Sequence, residues 1–180
     1  MKQSRVTERT RRNLVNAFFK LYKNGDVNKI TVGEICKTAD YERTTFYRYF
    51  SDTNEIINYL EDTIVEDIRA SIKANLKSKA LTNFKKFVDN YGEYITVFNE
   101  KGNRSFYDKF KKLVKEDVYD YLKFNIKDEK QKEFVFEFIF ASVLNSFTYW
   151  YRHKNMMSFD KFVEFANNML MNGTSSIVNY

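Results

Sequence analysis

The chain of 180 residues fits one ordinary domain, or a small module joined to a larger one. Apolar residues make up 43%, which excludes wholesale disorder, and the absence of proline with only five glycines leaves few helix breakers, so an all-α fold is expected. The single cysteine, Cys36, excludes an intramolecular disulfide, and no apolar run approaches the roughly 18 residues of a transmembrane helix.

The first residues, MKQSRVTERTRRN, lack the apolar core of a signal peptide, so a cytoplasmic protein is expected. Net charge is +6 and is unevenly placed. Residues 1–50 carry 11 Lys and Arg against 5 Asp and Glu, whereas residues 51–180 carry 19 of each. A basic head on a neutral body points to a polyanionic partner for the head.

In chain order, the spacing of Leu14, Phe18 and Leu21 predicts a first helix over residues 7–24. Thr31 with Glu34 forms a capping-box pattern ahead of a short second helix, Val32 to Ala39, whose Ile35, Cys36 and Ala39 face inward. After Asp40-Tyr41-Glu42 comes a third helix, Arg43 to Tyr49, with Phe46 and Phe50 on one face. Ser51-Asp52 caps a long fourth helix over residues 53–77, striped by Ile56, Ile57, Leu60, Ile64, Ile68 and Ile72. Four further helices are predicted near 80–99, 103–124, 128–153 and 158–172, with Gly102 and Gly173 as breaks. The architecture expected is all-α with about eight or nine helices: a three-helix head over residues 1–51, continuous with a larger helical body over 52–180.

The segment ITVGEICKTADYERTTFYRYFSDTNEI, residues 30–56, holds two short helices joined by a tight turn. The second of them is rich in basic and hydroxyl side chains, the plan of a helix-turn-helix whose second helix enters the major groove. Its outward candidates are Arg43, Thr44, Thr45, Tyr47 and Arg48, with Tyr49 a further hydroxyl donor to phosphate.

Through Ile30-Thr31, Ile35, Ala39 and Thr45-Phe46-Tyr47-Arg48-Tyr49-Phe50, residues 7–57 resemble the TetR family of bacterial repressors. The chain departs from the family's pattern at Asp40 (a turn glycine), Tyr41 (valine), Glu42 (a serine cap), Thr44 (glycine) and Thr53 (often lysine). The resemblance implies operator contacts by Thr31, Arg43, Thr44, Thr45, Tyr47, Arg48 and Tyr49, with Lys2, Arg5, Arg11 and Arg12 reaching backbone or minor groove. It implies a homodimer on double-stranded DNA, with a small-molecule effector of unknown identity bound in the body. Repression and activation both fit. The alternative is a co-activator of the same fold, controlled by a protein partner.

Helices five to seven are dense in aromatics such as Phe87, Phe110, Phe134, Phe138 and Tyr149, which at helical spacing read first as core. Phe140, Leu144, Phe147 and Trp150 on the seventh helix, with Phe162, Phe165, Ala166, Met169 and Leu170 on the eighth, are the candidate dimer contacts. Gly92 within the fifth helix permits a kink or is simply tolerated.

Nothing suggests an enzyme, a cofactor or a metal. The lone His153 fits a helix C-terminus, and Cys36 reads as a small buried apolar group. The adjacent carboxylates Glu61-Asp62, Glu66-Asp67 and Glu116-Asp117 face different directions and are expected to be solvated. A membrane-surface protein fits poorly, because the positive charges of the first helix cluster at one end.

Overall fold

The computed structural model describes residues 2–78, 82–117 and 127–173. Among them are eight α-helices and no strand. They are α1 (Lys2–Asn24), α2 (Val32–Ala39), α3 (Arg43–Phe46), α4 (Thr53–Ser78), α5 (Thr82–Glu100), α6 (Arg104–Asp117), α7 (Glu129–Arg152) and α8 (Phe159–Asn172), with one 3-10 turn at Val27–Lys29. The chain divides into two compact units, Met1–Ile64 and Val65–Tyr180, and the division falls inside α4.

Helix ends follow from their caps. Asp26 opens the 3-10 turn, Asp128 opens α7 and Ser158 opens α8, each accepting a backbone N–H. Asp52 Oδ1 accepts the amides of Asn54 and Glu55 at 2.8 Å to start α4. His153 closes α7, its Nδ1 lying 2.8 Å from the Tyr149 carbonyl oxygen. Two boundaries differ from expectation. α1 begins at Lys2, so the basic residues placed ahead of it lie within it. The α-helical part of α3 ends at Phe46, and Tyr47–Tyr49 continue as tighter turns in which Arg48 N–H donates to Thr45 and Tyr49 N–H to Phe46. The expected end of α6 at Phe124 lies outside the described residues.

In the first unit Leu14, Phe18, Ile35, Phe46 and Ile56 are wholly buried. Each contributes about 1.5–3 kcal/mol of burial free energy. The predicted stripe of α4 is buried at Ile56, Leu60, Ile64 and Ile68. In the second unit Phe98 and Phe106 pack with centroids 4.7 Å apart and join Leu113 and Phe136 in the core. Gly92 has a definite role there. A Cβ on it would lie 2.3 Å from Tyr151 Cε2, so glycine lets α5 and α7 meet at the Tyr151 ring.

Four of the carboxylates expected in water are buried or bonded to another helix. Glu61 is 1% exposed. Asp67 accepts the Tyr91 hydroxyl at 2.8 Å, and burial, followed by this bond, pushes the Tyr91 phenol up to about 12. Asp117 accepts Arg69 Nη1 at 2.8 Å, while Glu116 accepts Nη2 at 3.1 Å. Adjacency on a helix did not say which carboxylates meet a neighbouring helix, and in the Glu116-Asp117 pair both reach Arg69.

Candidate functional site

The site is built on α2, its turn and α3. Thr31 stands in extended backbone at the N-cap of α2. Its hydroxyl accepts the Glu34 amide at 3.2 Å, while its own N–H and hydroxyl donate to Glu34 Oε2 at 2.9 and 2.8 Å. These bonds hold the Glu34 carboxyl below the usual carboxylate range, the backbone bond most of all. The capping box therefore fixes the first turn of α2 with Thr31 still exposed.

The turn tolerates its unusual residues by local means. Asp40 takes the left-handed conformation (φ 59, ψ 49) that glycine adopts freely, at a cost of about 1 kcal/mol. Tyr41 N–H donates to the Cys36 carbonyl at 3.0 Å, and the Tyr41 hydroxyl accepts Asn13 Nδ2 at 3.1 Å, tying the turn to α1. Glu42 sits at the N-cap of α3 with no side-chain capping bond. Cys36 is buried, and that burial pushes its thiol up.

Phe46 and Phe50 are buried with centroids 5.8 Å apart, and they anchor α3 from beneath. Arg43, Thr44, Tyr47 and Arg48 are exposed, whereas Thr45 and Tyr49 are half-buried. Tyr47 keeps 59% of its surface, unusual for a large aromatic side chain with no buried role.

Two contacts here have no counterpart in the sequence pattern. A Cβ on Gly33 would lie 2.9 Å from Arg43 Nη2, so the guanidinium rests on the backbone of α2. The Arg11 guanidinium lies 5.9 Å from the Tyr49 ring centroid and 5.3 Å from that of Tyr59. Arg11, expected at the DNA backbone or minor groove, is half-buried beside these two aromatic rings.

The second unit holds a cavity of 410 Å³ lined by α4 to α8, including Ile72, Phe87, Phe110, Phe136, Phe147 and Phe162. Among the described lining residues, the polar ones are Ser71 and Asn167. The outer surface corrects the expected dimer contacts. Phe140, Leu144 and Trp150 are buried within the chain, where Trp150 Nε1 donates to the Met157 carbonyl at 3.0 Å and the ring stacks on Phe162. The apolar groups left exposed are Phe134, Phe138, Val143 and Tyr149 on α7, with Phe165, Met169 and Leu170 on α8. Phe134, Phe138, Asn145 and Tyr149 share one helical face, and that spacing was the signal available in the sequence. Among the described residues, no helix is long and apolar enough to cross a membrane.

A family model described as a transcriptional regulator C-terminal region (TetR_C_8) matches residues 74–172, more than half of the chain. The chain belongs to the TetR family of transcriptional regulators. Its fold is similar to that of a TetR transcriptional regulator from Streptococcus agalactiae 2603V, with 20% identity, a TM-score of 0.68, and coverage of 94% of this chain and 98% of that one. It is also similar to the fatty acid degradation regulator FadR from Bacillus halodurans, with 14% identity, a TM-score of 0.65, and coverage of 91% and 95%. A third is the dihydroxyacetone kinase operon activator DhaS, with 17% identity, a TM-score of 0.54, and coverage of 94% and 98%. No curated protein matches the sequence.

Proposed function

We propose that the chain binds an inverted-repeat operator as a homodimer, and that a small molecule held in its body sets the affinity. Residues 1–51 serve as the DNA-binding head and 52–180 as the effector-binding and dimerising body, acting in the cytoplasm where DNA is. The observation that carries the reading is the split within α3 and its following turns. Phe46 and Phe50 are buried, while Arg43, Thr44, Tyr47 and Arg48 stand exposed within residues 1–50, which carry all the excess positive charge. Thr31, at the exposed start of α2, adds a hydroxyl that can turn from Glu34 Oε2 to a phosphate oxygen, and Thr45 and Tyr49 contribute from half-buried positions.

Two heads must reach successive major grooves, roughly 34–36 Å apart, which a two-fold dimer provides. The exposed apolar groups of α7 and α8 are the surface available for pairing, and a helix pair from each chain makes a four-helix bundle. Control passes through α4. Ile68 and Ile72 line the cavity, and the first turns of the same helix belong to the head-bearing unit. A ligand that prefers one position of α4 biases the head spacing by its differential affinity alone. That a similar protein is described as a fatty acid degradation regulator agrees with an apolar effector site. In a second reading the chain is a co-activator controlled by a protein partner; that another similar protein is described as an operon activator agrees with its activating role alone.

Anisotropy of a labelled random-sequence duplex at about 50 and 200 mM salt tests the head. Affinity is expected to fall by more than tenfold with salt, and Arg48→Ala is expected to weaken binding and lower the salt slope by about one. Binding indifferent to both salt and Arg48→Ala rejects the assignment.

A further inference from the structure

We infer that the cavity of the second unit takes an uncharged, largely apolar molecule and discriminates against its ionised counterpart. This rests on the effector reading above and gives the effector's chemistry. At 410 Å³ the cavity falls within the range of small-molecule sites. Its wall comes from five helices and, among the described residues, holds no Lys, Arg, Asp, Glu or His.

Four cations adjacent to wall residues in sequence are already paired. Arg69, next to Ile68, binds Asp117 and Glu116, and its Nε lies 3.6 Å from Glu66. Lys73, next to Ile72, lies 3.5 Å from Asp117. Lys111, next to Phe110, donates to Glu137 at 2.9 Å, and Lys115, next to Val114, pairs with Glu133. An anion entering the cavity would shed its water and meet no charged side chain among the described wall residues, a cost far above that for a neutral polar group. Asn167 and Ser71 can serve one neutral hydroxyl, carbonyl or amide. Asn167 is exposed, which places this polar contact at the mouth.

The test uses the full chain and a matched pair of probes. The neutral dye N-phenyl-1-naphthylamine reports occupancy by its fluorescence, and 1-decanol and decanoate compete for it at a pH where decanoate is ionised. The inference expects 1-decanol to displace the dye at a concentration at least tenfold below that of decanoate. Asn167→Lys, a change at an exposed position, is expected to narrow that gap severalfold by supplying a cation. Ala166→Trp is expected to fill the cavity and abolish dye binding with helicity retained.

Decanoate competing as well as 1-decanol overturns the inference. So does a folded chain that binds no dye, or an Ala166→Trp chain that binds it unchanged. The effector reading fails separately, when saturating 1-decanol fills the cavity but leaves the affinity for a bound duplex unchanged. Conversely, decanoate that binds more tightly and releases the duplex leaves that reading standing and removes this inference.

Discussion

The guanidinium of Arg43, at the start of α3, lies on the backbone of α2 at Gly33, where a Cβ would come within 2.9 Å of Nη2. A long, entropy-rich side chain at the candidate DNA surface thus has a seat provided by a residue with no side chain. Because the atom in the way is the end of a flexible side chain, Gly33→Ala costs little in packing. It also removes helical glycine, which favours α2 by up to about 1 kcal/mol. Stability and DNA affinity are therefore expected to move in opposite directions, with Tm unchanged or higher and duplex affinity reduced severalfold. Thermal melts and anisotropy titrations on one preparation check this, and equal duplex affinity would mean that Arg43 does not need its seat.

Gly92 is the contrasting case. The obstacle to a Cβ there is the side of the Tyr151 ring, at 2.3 and 2.8 Å, and that ring already packs beside Phe147 and under Lys154 Nζ. Gly92→Ala forces α5 and α7 apart and is expected to cost about 1–3 kcal/mol. At about 2–4 °C per kcal/mol for a chain of this size, the loss is readily measured. Combining it with Tyr151→Ala should recover part of that loss, since the clash is then gone.

The capping box gives a pH dependence. Glu34 has a folded-state pKa below the ordinary glutamate value of 4.5, so its contribution is full above that value and is lost as pH falls through the lower folded value. Glu34→Gln keeps a capping side chain but cannot titrate. The variant is expected to have a flatter stability profile below about pH 4.5 and to match the native chain less well near neutrality. Urea melts from pH 3 to 7 read this directly, and parallel profiles for the two chains would contradict it.

Phe138 stands 63% exposed on α7, four residues from exposed Phe134. If α7 and α8 pair across a two-fold axis, Phe138→Glu places a charge in that interface. Sedimentation should then show a monomer of undiminished helicity, and binding to a two-half-site duplex should fall by more than binding to a single half-site. A chain that stays dimeric locates the interface elsewhere.

Much of the fold was legible because helix ends depend on local chemistry. Thr31, Asp52, Asp128 and Ser158 each cap a helix from the side chain the sequence displays. The helix-turn-helix frame was legible for the same reason, since Ile35, Cys36, Phe46 and Phe50 are buried at their expected spacing. What stayed hidden depends on choices between faces. α7 carries apolar groups on nearly all sides, so its sequence does not decide whether Phe140 or Phe138 turns inward. The Arg11–Tyr59 and Arg43–Gly33 contacts depend on where two helices cross, which no single-helix pattern contains.

The most direct test of the central claim is selection of bound sequences from a random duplex pool by the full chain, at about 150 mM salt to suppress nonspecific phosphate binding. The account predicts enrichment of an inverted repeat with half-sites about one helical turn apart, lost in Arg48→Ala or Tyr47→Ala. A folded chain that enriches no sequence would contradict it.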